Sequence, residues 1–434
     1  MLRPLYTALF TLALPLVLAR FWWRGRRLPA YRERLAERFG RPALALPEGS
    51  VWIHAVSVGE VQASLGLVRW LREQRVPLVL TTTTPTGAER ARHLFGDSVA
   101  HAYCPLDLPF AVQGFLRRTR PRLLILIETE LWPNILAECA RAGVSTVLAN
   151  GRLSARSARG YGRLGRTGRD LFSALTRVAA QTPDDAARFR ALGVPAQRLV
   201  VTGSIKFDAE LPASQREQVE VIRRHWQGRP VWVAASTHEG EEAVLLEAHR
   251  QVRQKIPDAL LVLVPRHPDR FDRVAGLLSA QNSRWARRSG GQPPDIATEV
   301  VLGDTMGELP SLLGAGDVGF IGGSLVAVGG HNPLEAAAQG VPILVGPQTF
   351  NFASITAQLV ACGAARRVSS AQDLACELLA WFGAAERRTE AGEQGRAMVD
   401  ENRGALQRLQ ALMAPLLADG VHPPTGPAGS ERQK

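Results

Sequence analysis

The sequence predicts an α/β protein made of two doubly wound domains behind an apolar N-terminal helix. Two observations support this prediction. The chain has 434 residues, too many for one ordinary core, and from residue 51 onward short β-branched runs alternate with helix-like stretches. Such alternation is typical of β/α units around a parallel sheet. The apolar fraction of 46% and the charged fraction of 21% are those of a globular protein, which excludes long disorder and a polytopic membrane protein.

The first domain is predicted over residues 42–210 and the second over residues 229–422. Strands are predicted at 51–56, 78–84, 123–127, 144–149, 178–181 and 199–202, and then at 231–235, 260–264, 299–302, 318–321 and 341–345. The polar stretch 211–228 is interpreted as an interdomain linker, and the Pro- and Gly-rich residues 423–434 as a disordered tail. Doubly wound domains bind ligands at the carboxyl ends of their strands, so a central cleft between the two domains is the expected site.

Residues 1–41 are predicted to be a membrane anchor with a basic flank. They carry nine Arg and two Glu, which is +7 of the formal +12 of the chain. The apolar run 5–19 is shorter than the roughly 20 residues of a full span, so a short span and an interfacial anchor both stay open. A buried first helix of the soluble domain is the alternative. The basic flank follows the apolar run, which excludes a cleaved signal peptide, keeps the later residues cytoplasmic and attracts anionic lipid.

Several kinds of site are missing from the sequence. The four cysteines form no C-x-x-C pair, which indicates neither a disulfide framework nor a zinc site and fits a reducing cytosol. The sequence contains no D-x-D arrangement, Walker loop or nucleophile elbow. No nucleic-acid-binding module accompanies the basic charge. We therefore expect no cofactor, no metal and no nucleic-acid partner.

Two motifs of the second domain point to a phosphate-containing ligand. Gly329 and Gly330 precede Asn332 and Glu335, predicted at the N-cap and third position of a helix whose amides attract phosphate. The alternative is that these residues merely cap the helix. Arg266 and His267 lie between two prolines after a strand, where Arg266 can grip phosphate or carboxylate and His267 can contact a base. A solvent-exposed turn is the alternative.

Charged residues of the first domain also follow predicted strands. Glu60 begins a helix after strand 51–56, where the helix N-terminus is expected to keep it ionised as a general base; dipole compensation is the alternative. Glu128 and Glu130 follow strand 123–127 and either orient a ligand hydroxyl or form salt bridges. Lys206 is one of three lysines beside 49 arginines. It either neutralises a carboxylate or phosphate, or is an exposed linker charge.

A basic stretch covers residues 152–169. It contains Arg152, Arg156, Arg159, Arg163, Arg166 and Arg169, with no acidic residue before Asp170. Basic runs are usually solvated faces. Beside a membrane anchor, this stretch suits a phosphorylated lipid.

Taken together, the ordered motifs resemble the 3-deoxy-D-manno-octulosonic acid (Kdo) transferases of Gram-negative lipopolysaccharide synthesis. The likeness runs through residues 31–34, 57–60, 128–134, 150–156, 236–240, 265–268, 303–308 and 329–335. It implies a GT-B fold, in which two Rossmann-like domains face a cleft, with CMP-Kdo as donor and a tetraacylated lipid A precursor as acceptor. It also implies inversion, no metal requirement and an inner-membrane location. Residues 150–151 are Asn-Gly where Asn-Ala is expected, a tolerable departure.

The resemblance assigns roles to the motif residues. It makes Glu60 the catalytic carboxylate and assigns donor binding to Arg266, His267, Gly329, Gly330, Asn332, Glu335 and Lys206. Glu128, Glu130 and Arg156 are candidates for supporting the acceptor or the transition state. The alternatives are a nucleotide-sugar epimerase, another GT-B enzyme or a non-catalytic membrane scaffold.

Overall fold

The computed structural model describes residues 2–26, 28–42, 47, 49–208 and 213–418. They divide into two compact units. Unit 1 contains the described residues up to Asp208 together with those from Arg403 onward, and unit 2 contains those between. The predicted tail at 423–434 lies outside the described residues.

Unit 1 contains a parallel sheet whose central strands are fully buried. Its described strands are β1 (Val51–His54), β2 (Leu78–Thr82), β3 (Ala100–Tyr103), β4 (Leu123–Ile127), β5 (Ser145–Gly151), β6 (Arg177–Ala180) and β7 (Leu199–Val201). They pair in the order β3-β2-β1-β4-β5-β6-β7. The apolar runs form strands because both faces are covered, and every residue of β4 is buried. The prediction omitted β3, which contains His101 and is not β-branched.

Helices of unit 1 connect these strands and cover the sheet. They are α1 (Leu2–Arg24), α2 (Leu35–Arg38), α3 (Val58–Ala63), α4 (Leu65–Glu73), α5 (Pro85–Phe95), α6 (Pro109–Thr119), α7 (Pro133–Arg141), α8 (Ala155–Gly162), α9 (Arg166–Ser173) and α10 (Pro183–Ala191). Capping residues start several of them. Thr84 accepts a hydrogen bond from the amide of Gly87, and Pro85 occupies the first turn of α5.

The first of these helices is the predicted anchor. Residues 3–24 of α1 are long and apolar enough to cross a membrane, judged by length and composition. No residue in that window is buried. The alternative of a buried first helix is therefore wrong.

Unit 2 repeats the architecture with a second parallel sheet. Its described strands are β8 (Val231–Thr237), β9 (Leu260–Pro265), β10 (Trp285–Arg287), β11 (Val300–Leu302), β12 (Val318–Ile321), β13 (Ile343–Val345) and β14 (Ala365–Arg367). They pair in the order β10-β11-β9-β8-β12-β13-β14. The strand order reverses between β8 and β12, which is the topological switch point of this sheet. The three-residue edge strands β10 and β14 carry arginines and were not predicted.

The first helix of unit 2 lies in the segment that was predicted to be a linker. They are α11 (Ala213–His225), α12 (Glu241–Arg253), α13 (Phe271–Ala280), α14 (Leu309–Ala315), α15 (Leu334–Ala337), α16 (Ala353–Ala361), α17 (Ala371–Phe382) and α18 (Ala385–Glu401). Helix α11 packs on α14, where Gln218 donates to Glu308 at 2.6 Å and Arg223 to the carbonyl of Gly314 at 2.8 Å. The linker interpretation of 211–228 is therefore corrected, because most of this stretch is a packed helix of unit 2.

The last described helix, α19 (Ala405–Ala418), belongs to unit 1. Its buried Leu409 and Met413 join the apolar cluster that β1 and β4 contribute to. Asp208 accepts hydrogen bonds from the amides of Gly404 and Leu406, both at 2.6 Å, and so fixes the start of this helix. The predicted second domain, 229–422, therefore extends too far, because its final helix completes the core of unit 1.

Removing a core side chain of α19 should destabilise unit 1. Leu409→Ala is expected to lower the free energy of unfolding by about 2–4 kcal/mol, because the side chain is fully buried. Gln407→Ala on the exposed face of the same helix is the matched control and should change it by less than about 0.5 kcal/mol. Urea unfolding in detergent measures both. Equal effects of the two substitutions would contradict the assignment of α19 to this core.

Candidate active site

Glu60 lies at the carboxyl edge of the unit 1 sheet, in the first turn of α3. Its carboxylate folds back over the start of the helix. One oxygen accepts from the amide of Val56 at 2.7 Å and the other from the hydroxyl of Ser57 at 2.8 Å. The side chain is largely buried, with 9% of the residue exposed. Two donors therefore hold this carboxylate in one orientation.

The surroundings of Glu60 change its acidity. Burial raises its pKa to about 7, while the hydrogen bonds from Val56 and Ser57 oppose that rise and the nearby Glu128 and Glu130 add to it. We expected the helix N-terminus to keep Glu60 ionised, and burial outweighs that effect. A carboxyl group that titrates near neutral pH is well matched to general-base chemistry.

Glu128 follows β4 and forms an ion pair with Lys206. The distance from Glu128 Oε1 to Lys206 Nζ is 2.6 Å, and both side chains are mostly shielded. Glu128 has a φ of 61°, a left-handed conformation unusual for this residue type. Its amide donates to the carbonyl of Ala149 at 2.9 Å, which supports this turn. The structure thus pairs Lys206 with an acidic residue of unit 1.

Asn150 positions the segment that carries Lys206. This buried residue lies one position before the end of β5 and has a φ of 56°. Its side-chain oxygen accepts from the amide of Ile205 at 3.2 Å, and its carbonyl accepts from Gln181 at 3.0 Å. The strand ends of β5 and β6 are thereby joined to the turn before Asp208.

Glu130 and Arg156 occupy neighbouring parts of unit 1. Burial raises the pKa of Glu130, and the indole of Trp132 donates to its carboxylate at 3.1 Å. Glu130 in turn helps to raise the pKa of Tyr161 on α8, after burial. Arg156 lies exposed on the same helix. The basic stretch 152–169 therefore runs beside this acidic group, with its six arginines on the surface.

In unit 2, Arg266 and His267 follow β9 in a turn that an ion pair stabilises. Arg270 donates to the buried carboxylate of Glu242 at 2.7 Å and to the carbonyl of Thr237 at 2.9 Å. The amide of Arg266 also donates to Thr237, at 3.0 Å. The turn is therefore fixed to the end of β8 while the side chain of His267 stays exposed.

Three histidines meet beside this turn. His238 Nε2 and His331 Nε2 lie 2.8 Å apart with nearly parallel rings, and the ring of His267 lies edge-on to His238 at 5.8 Å. Burial, helped by the charge of Arg266, lowers the pKa of His331 to about 3 and lowers those of His238 and His267. The imidazoles are therefore neutral at neutral pH, and Arg266 supplies positive charge here.

Glu241 organises the loop at the switch point between β8 and β12. Its fully buried carboxylate accepts hydrogen bonds from four amides, those of His238, Gly323, Ser324 and Leu325, at 2.7 to 3.0 Å. These four amides are therefore hydrogen-bonded within the protein. A glutamate at the start of a helix looks like a simple capping residue in the sequence, so no sequence pattern indicates this role.

The glycine loop before α15 is also closed on itself. The amides of Gly329 and Gly330 donate to the carbonyl of Gly323, with φ values of 103° and 75° that favour glycine. Asn332 Oδ1 accepts from the amide of Leu334 at 3.1 Å, but the predicted N-cap position of Asn332 is wrong, because Pro333 occupies the N-cap of α15. Helix α15 has only four residues and begins one residue later than expected. Phosphate binding through the amides of Gly329 and Gly330 would require the loop to rearrange.

Comparison with solved structures defines the fold first. A glycosyltransferase of Rickettsia africae matches with a TM-score of 0.53 at 13% identity, covering 85% of this chain and 99% of that one. The UDP-GlcNAc 2-epimerase of Neisseria meningitidis bound to UDP-GlcNAc matches with a TM-score of 0.57 at 14% identity, covering 84% and 100%. Identities this low show the fold alone. With its two parallel sheets, the protein has the GT-B architecture.

The family follows from closer relatives. The family model of 3-deoxy-D-manno-octulosonic-acid transferase (kdotransferase) matches residues 33–209. A 3-deoxy-D-manno-octulosonic acid transferase of Haemophilus influenzae is 43% identical over 427 residues, which is 97% of this chain and 100% of that protein. Its counterpart in Bordetella pertussis is 41% identical, over 94% and 98%. The chain belongs to the Kdo transferase family and is a glycosyltransferase.

Replacing Glu241 should loosen the switch-point loop. Glu241→Gln turns one acceptor oxygen into an amide donor that faces other donors, which is expected to lower the free energy of unfolding by about 2–4 kcal/mol. The exposed Glu239, two residues earlier, gives the control Glu239→Gln, which should leave the unfolding midpoint unchanged. Differential scanning calorimetry compares the two. A normal melting temperature for Glu241→Gln would show that the four amides do not depend on this carboxylate.

Proposed function

We propose that the protein transfers Kdo from CMP-Kdo to a tetraacylated lipid A precursor, with inversion at the anomeric carbon and without a metal ion. The observation that carries this proposal is Glu60. Its carboxylate is held by two donors in a largely buried position, titrates near neutral pH, and lies close to the Glu128–Lys206 ion pair. These are the properties that a general base for a sugar hydroxyl needs.

The chemical step is a single displacement. Glu60 takes the proton of the acceptor's primary hydroxyl as its oxygen bonds to the anomeric carbon of Kdo. The bond from that carbon to the phosphate oxygen breaks, and its electron pair leaves with CMP. Attack opposite to the leaving group inverts the configuration. Two lone-pair directions on the Glu60 carboxylate are already occupied by Val56 and Ser57, and the remaining ones accept the hydroxyl.

Donor binding is assigned to Arg266, His267, Gly329, Gly330, Asn332 and Glu335. The guanidinium of Arg266 stabilises the phosphate of CMP as charge develops on it. The neutral imidazole of His267 contacts the base, and the carboxylate of Glu335 accepts from the ribose hydroxyls. The strand-end position of these residues at the carboxyl edge of the unit 2 sheet supports the assignment.

Lys206 is assigned to the donor carboxylate or the leaving phosphate. Its pairing with Glu128 holds the ammonium group in place and makes it part of a charge-balanced site. Fixed protein cations of this kind supply the charge stabilisation that a divalent ion provides in other transferases. This supports the expectation of metal-independent transfer.

Acceptor binding is assigned to unit 1. Glu128 and Glu130 orient the acceptor, and Arg156 with its neighbours in the basic stretch attracts lipid phosphate. The apolar helix α1 and the +7 charge of residues 1–41 support attachment to the cytoplasmic face of the inner membrane, where an anionic surface attracts them. An epimerase shares the fold, but the identities of 41–43% are to transferases.

Glu60→Gln should abolish transfer and leave donor binding intact. The amide cannot accept the proton, so the rate is expected to fall by roughly 10²–10⁴-fold. Calorimetric titration with CMP should give an unchanged dissociation constant. The variant should be at least as stable as the parent protein at pH 8. Folding raises the pKa of Glu60, so the folded parent loses stability as the pH rises from the unfolded pKa of about 4.3 to the folded pKa of about 7. Retained transfer would remove Glu60 from the mechanism.

The pH dependence of kcat/KM provides a second test of Glu60. The rate should fall below a pH of about 7, where the carboxyl becomes protonated. In Ser57→Ala the loss of a hydrogen bond that favours the ionised form raises the pKa of Glu60, so the acid limb should move to higher pH. A limb that stays in place in this variant would show that another group titrates.

Metal independence is tested with purified protein, freshly generated CMP-Kdo and the lipid A precursor. We expect the same initial rate with and without excess EDTA, because protein cations neutralise the departing phosphate. Mass spectrometry of the products identifies the acceptor and counts the Kdo units added. A rate that EDTA abolishes and magnesium restores would overturn the metal-independent mechanism.

A further inference from the structure

Helix α1 has two different faces along its whole length. Residues 3, 6, 7, 10, 13, 14, 17, 18 and 21 are partly covered, while residues 4, 5, 8, 9, 11, 12, 15, 16, 19, 20, 22 and 23 are exposed. The covered positions recur about every 3.5 residues, which is one stripe of a helix. A helix that projected away from the protein would be exposed all round. One side of α1 therefore faces unit 1.

The N-terminal end of α1 is docked by polar contacts to α7. Arg3 Nε donates to Asn134 Oδ1 at 2.9 Å, and its guanidinium forms an ion pair with Glu138. One turn later, the hydroxyl of Thr7 lies 3.1–3.2 Å from the side-chain amide of Asn134. Asn134 and Glu138 are buried, at 0% and 2% exposure.

These partners are fixed within unit 1. The amide of Asn134 donates to the carboxylate of Asp107 at 3.1 Å, and its side chain donates to the Asp107 carbonyl at 2.7 Å. The amide of Ile135 donates to the same carboxylate at 2.7 Å. The docking point is consequently part of the globular body.

The C-terminal end of α1 is docked as well. The ring of Phe21 stacks with Tyr31 at 6.2 Å and lies under the guanidinium of Arg38 at 4.6 Å. Arg32 donates to the carbonyl of Trp22 at 2.8 Å. Arg38 is 1% exposed and donates to the carbonyl of Thr83, just after β2. This second docking point also belongs to unit 1.

The two docking points lie far apart along the helix. Thr7 and Phe21 are separated by 14 residues, which corresponds to about 21 Å of helix axis. A helix held at both ends by one globular body lies along its surface. If α1 crossed the bilayer in this arrangement, the polar surface around Asn134 and Glu138 would enter the hydrocarbon, which is strongly unfavourable.

We propose that α1 lies in the plane of the membrane interface, with one face on unit 1 and the opposite face inserted into a single leaflet of anionic phospholipid. The inserted face carries Leu5, Leu9, Leu12 and Leu16, which are 52–80% exposed. The inference rests on the proposed membrane attachment and adds its geometry. Of the two alternatives that the sequence left open, a membrane span and an interfacial anchor, it selects the interfacial anchor.

The positive charge around the C-terminal end of α1 is complementary to anionic phospholipid. Arg20 and Arg24 are exposed, and the guanidiniums of Arg26 and Arg32 lie 4.5 and 4.7 Å from the ring of Trp22. Arginine stacked on an interfacial tryptophan suits the headgroup region, where the ring contacts acyl chains and the cation contacts phosphate. A second copy of this basic chain would instead bring like charges together.

Spin-label depth measurements test the proposal. The exposed Cys376 and the half-buried Cys362 are replaced by Ser, since Cys104 and Cys139 are buried. Cys is then introduced singly at Leu5, Leu9, Leu12 or Leu16 of the full-length chain bound to phosphatidylglycerol–phosphatidylethanolamine vesicles. Collision with oxygen and with a water-soluble nickel complex gives the depth of each label. Val17→Cys on the covered face is the matched control.

An in-plane helix should give four similar depths, about 5–10 Å below the headgroups, and little exposure of the Val17 label to oxygen in lipid. A spanning helix should give depths that change by about 16 Å between positions 5 and 16, and that result would overturn the proposal. Labels that stay in water, with the chain not bound to vesicles, would overturn membrane attachment itself. Labels shielded from both reagents in a detergent-stable dimer would identify a second copy as the occupant.

Discussion

Parallel pairing of the strands is the constraint on which the rest of this structure depends. Every strand pair described in the two sheets is parallel, so the carboxyl ends of the strands in each sheet lie along one edge. The central strands are buried, so polar groups collect at the strand ends. Glu60, Glu128 and Lys206 follow strands of one sheet, and Arg266 and His331 follow strands of the other.

Two buried glutamates show how the number of hydrogen-bond donors decides what a carboxylate does. Glu241 has four amide donors and holds a loop together. Glu60 has two donors, and burial outweighs them, so its pKa rises to about 7. At Glu60, two donors are too few to offset the effect of burial on the pKa.

The sequence predicted what local pattern determines. Long apolar runs identified β4 and β9, and the polar residues after them identified Glu128 and Arg266, because strand ends collect ligand-binding groups. The sequence did not predict features that depend on contacts between residues far apart in the chain. The edge strand β14 has three residues, two of them arginine, and three of the four amide partners of Glu241 lie 82 to 84 residues away. The assignment of α19 depends on a core formed by the other end of the chain. The roles of the site residues stay predictions.

The return of α19 to unit 1 sets an order for folding during synthesis. Unit 2 is formed by one continuous stretch, so all its residues have been made once the ribosome passes Asn402. Unit 1 begins first but lacks Leu409 and Met413 until nearly the whole chain has been translated. Until then the apolar surface that α19 covers stays open, although α1 has already emerged. The helix proposed to bind the membrane is therefore synthesised before the half that carries Glu60 can close its core.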